Sequence, residues 1–335
     1  MKAAVHVGSS RLELREWPEP RVGAGELLVR LRGCGLCGSD LVKLAREAPT
    51  PAVLGHEVVG EVAAVGPGVS RFALGQRVIV AHHVPCFACH YCRRGGPSMC
   101  REFKRVNLDP GGFAELVRVP APNVAHATFT IDAGMSDETA SFTEPLACCL
   151  RAIKRTGACA GDSVVVVGLG SIGCLLAQGF RLAGTRVLGA DLLPARRRLA
   201  ATLGVEVFED DAALDAALRD ATGGRGADVV MLTAGGAAAV AAAVARARDG
   251  GHVHCFAGGA GETLPLALDT FYHRELTLGA TYSSSPTELA EAFAHLANGR
   301  VSVDGLITHR LPLARLEEGV ALMRRQEAVK VYVTP

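Results

Sequence analysis

No stretch of this sequence approaches the roughly 20 consecutive apolar residues that a helix needs to cross a bilayer, so no membrane partner is expected. Neither sign of charge is in excess. The 35 Lys and Arg stand against 34 Asp and Glu, a formal net charge of +1, which offers nothing to a nucleic acid or an acidic surface. No internal repeat and no flexible linker is evident. The opening Met1-Lys2-Ala3-Ala4-Val5-His6 lacks the apolar core of a signal peptide, and a cytoplasmic protein is the expectation. What the chain does have is bulk: 335 residues, 49% hydrophobic and 21% charged. That is enough to bury a sizeable core and too much for one ordinary domain, so two are expected.

Cysteine is the other abundance. There are 11, and six of them fall between Cys34 and Cys100. In a reducing compartment such crowding points to metal or catalytic chemistry rather than disulfides. Cys86-Phe87-Ala88-Cys89-His90-Tyr91-Cys92, followed by Cys100, reads C-x2-C-x2-C-x7-C. Four soft thiolates in one short lobe suit a closed tetrahedral structural zinc. An iron–sulfur cluster and disulfides are the alternatives. His82, His83 and His90 lie close by and read as polar surface or as supporting groups, since four cysteines already complete a tetrahedron.

The texture of the chain changes near Gly161. Before it come short β segments, Glu26–Leu31, Val58–Val65 and Gln76–Val80 among them, separated by Gly and Pro. After it, apolar strands alternate with helices. Strands are predicted at 164–167, 186–190, 228–232, 252–256 and 276–281, and helices at 172–183, 195–203 and, in an Ala-rich stretch, 237–247. This alternation predicts a doubly wound parallel sheet with helices on both faces. A helix at 288–296 and a strand at 329–333 follow. The tail is expected to return to the first domain, giving a catalytic zinc-binding domain from 1–145 and 286–335 around a nucleotide domain from 146–285.

Gly168-Leu169-Gly170-Ser171-Ile172-Gly173 follows a predicted strand and opens a predicted helix. The first Gly permits a tight turn, the second lets backbone approach a pyrophosphate, and the third lets helix and strand pack closely. The amides of Ser171 and Ile172 open the helix whose N-terminus faces the phosphates. Asp191 ends the next strand 18 residues after Gly173, where a carboxylate can hold the adenosine ribose hydroxyls. It would repel a 2′-phosphate, so NAD is expected over NADP. Arg196, Arg197 and Arg198 pull the other way, because basic side chains can receive that phosphate.

Three further segments stand apart from the cysteine lobe: Cys37-Gly38-Ser39-Asp40, Gly55-His56-Glu57-Val58-Val59-Gly60 and Glu144-Pro145-Leu146-Ala147. Singly each is bland. Together they offer a thiolate, an imidazole and a carboxylate, the mixed set of a catalytic zinc that keeps one position for water or substrate. With all these motifs in order, the chain resembles the zinc-containing medium-chain dehydrogenases over essentially its whole length. The Glu144-Pro145-Leu146-Ala147 stretch is similar to the branch holding sorbitol, threonine and butanediol dehydrogenases.

That resemblance implies a Rossmann-type nucleotide domain, a mostly β GroES-like catalytic domain with a zinc lobe, and two zinc ions per chain. It implies Cys37 and His56 as ligands of the catalytic zinc, with Glu57 or Glu144 completing the set directly or through water. Asp40 would fix the tautomer of His56, and Ser39 would receive the substrate proton. Gly168, Gly170, Gly173 and Asp191 would hold the cofactor, with Arg196 nearby. The implied activity is hydride transfer from a small alcohol, diol or polyol to NAD, by a homodimer or homotetramer. The alternatives are a threonine-type amino-alcohol dehydrogenase, suggested by Val106-Asn107 and the Pro110–Glu115 loop, and a non-catalytic nucleotide-binding protein on the same scaffold. Two positions depart from the family. Val42 stands where many relatives carry a relay His, and Thr281-Tyr282-Ser283-Ser284-Ser285 replaces the pocket Arg of sorbitol dehydrogenases.

Overall fold

Four successive valines make up Val164–Val167, and the first three are buried. A strand apolar on both faces belongs in the middle of a parallel sheet, and there it lies. In the computed structural model, which describes residues 1–45, 51–209, 211–257, 263–264 and 266–335, Ser163–Val167 is a central strand of a six-stranded parallel sheet. The order across the sheet is Glu206–Phe208, Arg186–Ala190, Ser163–Val167, Ala227–Leu232, Ala247–Cys255 and Thr277–Ala280. In chain order this is 3-2-1-4-5-6, the doubly wound arrangement whose ligand crevice lies at the carboxyl ends of strands 1 and 4. Val165, Leu188, Val230 and Val253 join its core. The helices predicted over 172–183 and 237–247 run from Ser171 to Leu182 and from Ala237 to Arg246.

This sheet belongs to a unit formed by Cys148–Ser283; Met1–Ala147 and Ser284–Pro335 form the other. The second unit is mostly β. A seven-stranded sheet is organised around Leu27–Leu36, which pairs with Glu57–Val65 on one side and with Val331–Thr334 on the other, while Leu116–Val119 pairs with its first half. A three-stranded sheet joins Lys2–Gly8 to Arg11–Glu16 and Ala52–Val53. The C-terminal strand is in register Val331↔Leu36, Tyr332↔Gly35 and Val333↔Cys34.

The strand predicted to end at Leu31 runs five residues further, through Arg32-Gly33-Cys34-Gly35-Leu36. Its first half alternates buried and open, as a one-faced strand must, but its last four residues are all buried. The glycines there are demanded by close neighbours. A Cβ on Gly33 would lie 2.0 Å from the Tyr332 ring, and one on Gly35 only 1.9 Å from Glu57 Oε2. This densely packed end leads directly to Cys37. Among the described residues, no helix is long and apolar enough to cross a membrane.

Candidate active site and metal centres

In the lobe, the Sγ atoms of Cys86, Cys89, Cys92 and Cys100 lie within 4.8 Å of one another. Cys89 and Cys92 Sγ are 3.5 Å apart. A tetrahedral zinc with bonds of about 2.3 Å needs edges of about 3.8 Å, so the four donors fit that ion. Backbone turns hold them: a short helix His90–Arg93, a 3-10 turn Pro97–Met99 and a helix Arg101–Arg105. The amide of Cys86 donates to Cys100 Sγ at 3.4 Å. Burial opposes ionisation of Cys100, but amides of Cys86, Phe103 and Glu102 outweigh it and bring its thiol down to about 6. Burial and the neighbouring sulfurs push Cys92 up to about 12. Thiols crowded this closely resist ionising together, and a shared cation would remove that resistance.

The second set is built differently. Cys37 is the one residue between the long strand Leu27–Leu36 and the helix Gly38–Ala45. His56 and Glu57 open the neighbouring strand Glu57–Val65, after Gly55, whose φ of +90° suits a residue without Cβ. One donor atom each from Cys37, His56 and Glu57 falls within 4.8 Å of the others. Sulfur, nitrogen and oxygen together, the Cys37 thiol half-buried and His56 and Glu57 buried, are the donor chemistry of a catalytic zinc.

Asp40 sits behind this set, fully buried. It accepts from the amides of Cys37 at 3.1 Å and Gly55 at 3.4 Å, and its Oδ1 lies 3.4 Å from His56 Nδ1. Burial disfavours charge on His56, but Asp40 and the Cys37 thiolate raise it well above the ordinary imidazole range. The site thus attracts positive charge, which a metal can supply in place of a proton. Ser39 Oγ is 3.5 Å from His56 Nε2, and the Ser39 amide is 3.5 Å from Cys37 Sγ.

Glu57 is engaged on its far side. Lys330, from the C-terminal segment, donates to Glu57 Oε1 at 2.7 Å and stands 2.5 Å from Oε2. Both residues are buried. Glu144, in the first turn of the helix Thr143–Thr156, is buried too. It is not one of the three clustered donors; it faces His82, its Oε1 4.0 Å from Nδ1. Two residues of this neighbourhood escape sequence reasoning. Lys330 was signalled only by a lone charge in the apolar run Ala328–Val333. His82, expected at the surface or in support, is deeply buried, whereas His90 is exposed.

In the nucleotide unit, Gly168 has φ +91°, and a Cβ on Gly173 would meet the Gly168 carbonyl at 1.8 Å. Gly170 caps the helix that Ser171 and Ile172 open. Asp191 accepts from the amides of Leu169 at 2.7 Å and Leu193 at 2.8 Å, and Arg196 Nη1 lies 3.7 Å from it. The Arg196 Nε is buried without a hydrogen-bond partner among the described residues. Arg197 donates to the carbonyls of Asp191 and Leu192, and Arg198 is exposed.

Two family models match the chain: the alcohol dehydrogenase GroES-like domain over residues 23–128, and the zinc-binding dehydrogenase model over residues 171–298. The chain belongs to the zinc-containing medium-chain dehydrogenases, a family that acts on alcohols. It is 31% identical to L-galactonate-5-dehydrogenase of Escherichia coli, covering 96% of this chain and 94% of that one. It is 30% identical to sorbitol dehydrogenase of Halalkalibacterium halodurans, over 100% and 99%. Among solved structures, a zinc-binding dehydrogenase from Sinorhizobium meliloti bound to NADP superimposes with a TM-score of 0.88, at 31% identity, covering 100% and 99%.

Proposed function

We propose that this protein oxidises a small diol or polyol, with NAD as hydride acceptor. The observation that carries the reading is the cluster of Cys37, His56 and Glu57 donors with Asp40 behind it, in a chain that also carries the Gly168–Gly173 fingerprint. Similarity to galactonate and sorbitol dehydrogenases supports the polyol class. Zinc held by Cys37, His56 and a carboxylate, Glu57 with Glu144 beside the set, would supply Lewis acidity toward the substrate hydroxyl. The protein's own groups do the rest. Asp40 Oδ1, 3.4 Å from His56 Nδ1, favours the proton on that nitrogen and leaves Nε2 as the ligand nitrogen. Ser39 takes the substrate proton, a hydroxyl two residues from Cys37 at the mouth of the set. The four-cysteine lobe holds a second, structural zinc.

Asp191 supports NAD: its carboxylate disfavours a 2′-phosphate, and Arg196 beside it is engaged with that same carboxylate. The edge strand Thr277–Ala280 offers unpaired backbone for a homodimer or homotetramer. Eleven free cysteines fit a reducing cytoplasm. The experiment is a panel of alcohols, diols, polyols and amino alcohols with each cofactor, followed by reduced-nicotinamide absorbance. Turnover of diols or polyols with NAD favoured is the expected result. Cofactor binding with no turnover overturns the enzyme reading; equal or better use of NADP overturns the NAD assignment.

A further inference from the structure

One histidine in the wall of the metal site is accounted for neither by the ligand set nor by the hydrogen bonds of the fold. His82 lies just beyond the strand Arg77–Val80 and is only 6% exposed. Its ring is clamped, with the His56 ring centroid 4.6 Å away and the His83 centroid 3.6 Å away. His83 packs in turn on Phe103 at 4.7 Å. A ring packed on both sides by tilted neighbours keeps its nitrogens in fixed positions. The Nδ1 of His82 is buried and has no hydrogen-bond partner among the described residues. A buried polar atom left that way is costly, so it calls for a reason.

Glu144 Oε1 faces that nitrogen at 4.0 Å, beyond direct hydrogen-bond reach. A carboxylate there favours the tautomer with the proton on Nδ1, because an N–H dipole, rather than a lone pair, then points at negative charge. Donor and acceptor thus stand side by side. One oxygen about 2.8 Å from each completes both bonds. Glu144 has other partners as well, and a carboxylate accepts about four bonds. The group that fits between is a hydroxyl, which accepts from Nδ1–H and donates to the carboxylate. An ammonium only donates and would turn a proton toward Nδ1–H; a carboxylate only accepts and would face Glu144; a methyl completes neither bond. The gap also adjoins the metal set, since the His82 ring packs against His56 at a tilt of 45° with centroids 4.6 Å apart.

We propose that His82 and Glu144 together recognise a second hydroxyl of the substrate, on the carbon next to the one oxidised, and so select vicinal diols and polyols over simple alcohols and amino alcohols. The inference rests on the dehydrogenase reading above. His82 acts here as a specificity-determining residue that touches substrate without entering the chemical step.

The test uses the zinc-replete protein with three probes that share one secondary alcohol: 2-propanol, 1,2-propanediol and 1-amino-2-propanol. Each is measured for kcat/KM with NAD and, by calorimetry, for binding. The unmodified protein is expected to favour the diol over both others. His82→Phe keeps a ring between His56 and His83 and removes the donor; it should lower the diol-to-2-propanol ratio by about tenfold or more. His82→Asn places an amide N–H near the position of Nδ1 and should restore part of that ratio, which a merely structural role would not do. Zinc content and circular dichroism check that both variants fold. An unchanged ratio in His82→Phe, or equal loss in both variants, overturns the proposal. Selective binding of the diol without turnover of any probe would support the recognition and sink the proposed reaction instead, so the two failures are told apart.

Discussion

The two cysteine-bearing clusters that could each hold a metal ion solve opposite problems. In the lobe, all four donors come from a 15-residue stretch, Cys86 to Cys100, and the backbone itself supplies the stabilising amides. At the other site the donors sit at the ends of two separate strands, and what orients them comes from elsewhere: Asp40 of the following helix behind His56, and Lys330 against Glu57 across 273 positions of sequence. The difference shows where each kind of site stores its specification. A local site writes ligand and geometry into one spacing. A dispersed site writes its ligands and a nearby support such as Asp40 into motifs and leaves the rest of its geometry to the fold.

The sharpest way to break this contrast is to remove one thiol from each site. Cys89→Ser should cost the lobe its zinc and much of the folding free energy tied to it, seen as a large fall in Tm and in soluble yield. Cys37→Ser should also drop the metal content by one zinc per chain, but with Tm nearly kept and turnover abolished. If both variants unfold alike, the division into structural and catalytic sites is wrong.

Next in size is the ion pair. Lys330→Met leaves the Glu57 carboxylate buried without its partner, and such a loss costs about 3–5 kcal/mol, readable in urea midpoints. Lys330→Arg should recover part of it. If Lys330→Met is silent, Glu57 is held by something other than Lys330. Asp40→Asn tests the other support: it should weaken zinc binding at the Cys37–His56 set by about 10–100-fold, measured by chelator competition, while the lobe retains its metal.

The smallest effect is a control outside both sites. In the nucleotide unit, burial alone would raise the Asp228 carboxyl, but Arg248 at 2.5 Å and the Ser163 amide at 2.8 Å hold it below the usual range. A depressed carboxyl stabilises the fold above the unfolded pKa near 3.9 and loses that contribution as pH falls through the folded value. Asp228→Asn should therefore reduce stability at neutral pH by no more than about 1 kcal/mol and flatten acid unfolding. Zinc content should not change.

The parallel sheet and the glycine turn after Val167 were legible because alternation and glycine chemistry are local signals. Val164–Val167 reads as a strand from four apolar residues alone, and Gly168 and Gly173 occupy positions a Cβ would foul. The full length of Leu27–Leu36 was not legible, since Gly33 and Gly35 look like turn residues until Tyr332 and Glu57 are seen pressing on them. The same holds for His82 and Lys330. A single His beside a cysteine lobe, or a single Lys in an apolar tail, has no periodicity to betray burial; only the packing of distant strands assigns it a neighbour.

The pairing of Val331–Thr334 with Leu27–Leu36 also sets a timetable. At about 5–20 residues per second of translation, Lys330 leaves the ribosome roughly 15–50 s after Glu57. The cysteine lobe emerges whole and can take up its ion while the chain is still being made. The Cys37–His56–Glu57 set, by contrast, waits out that whole interval with its carboxylate uncompensated, until Lys330 and the strand Val331–Thr334 arrive.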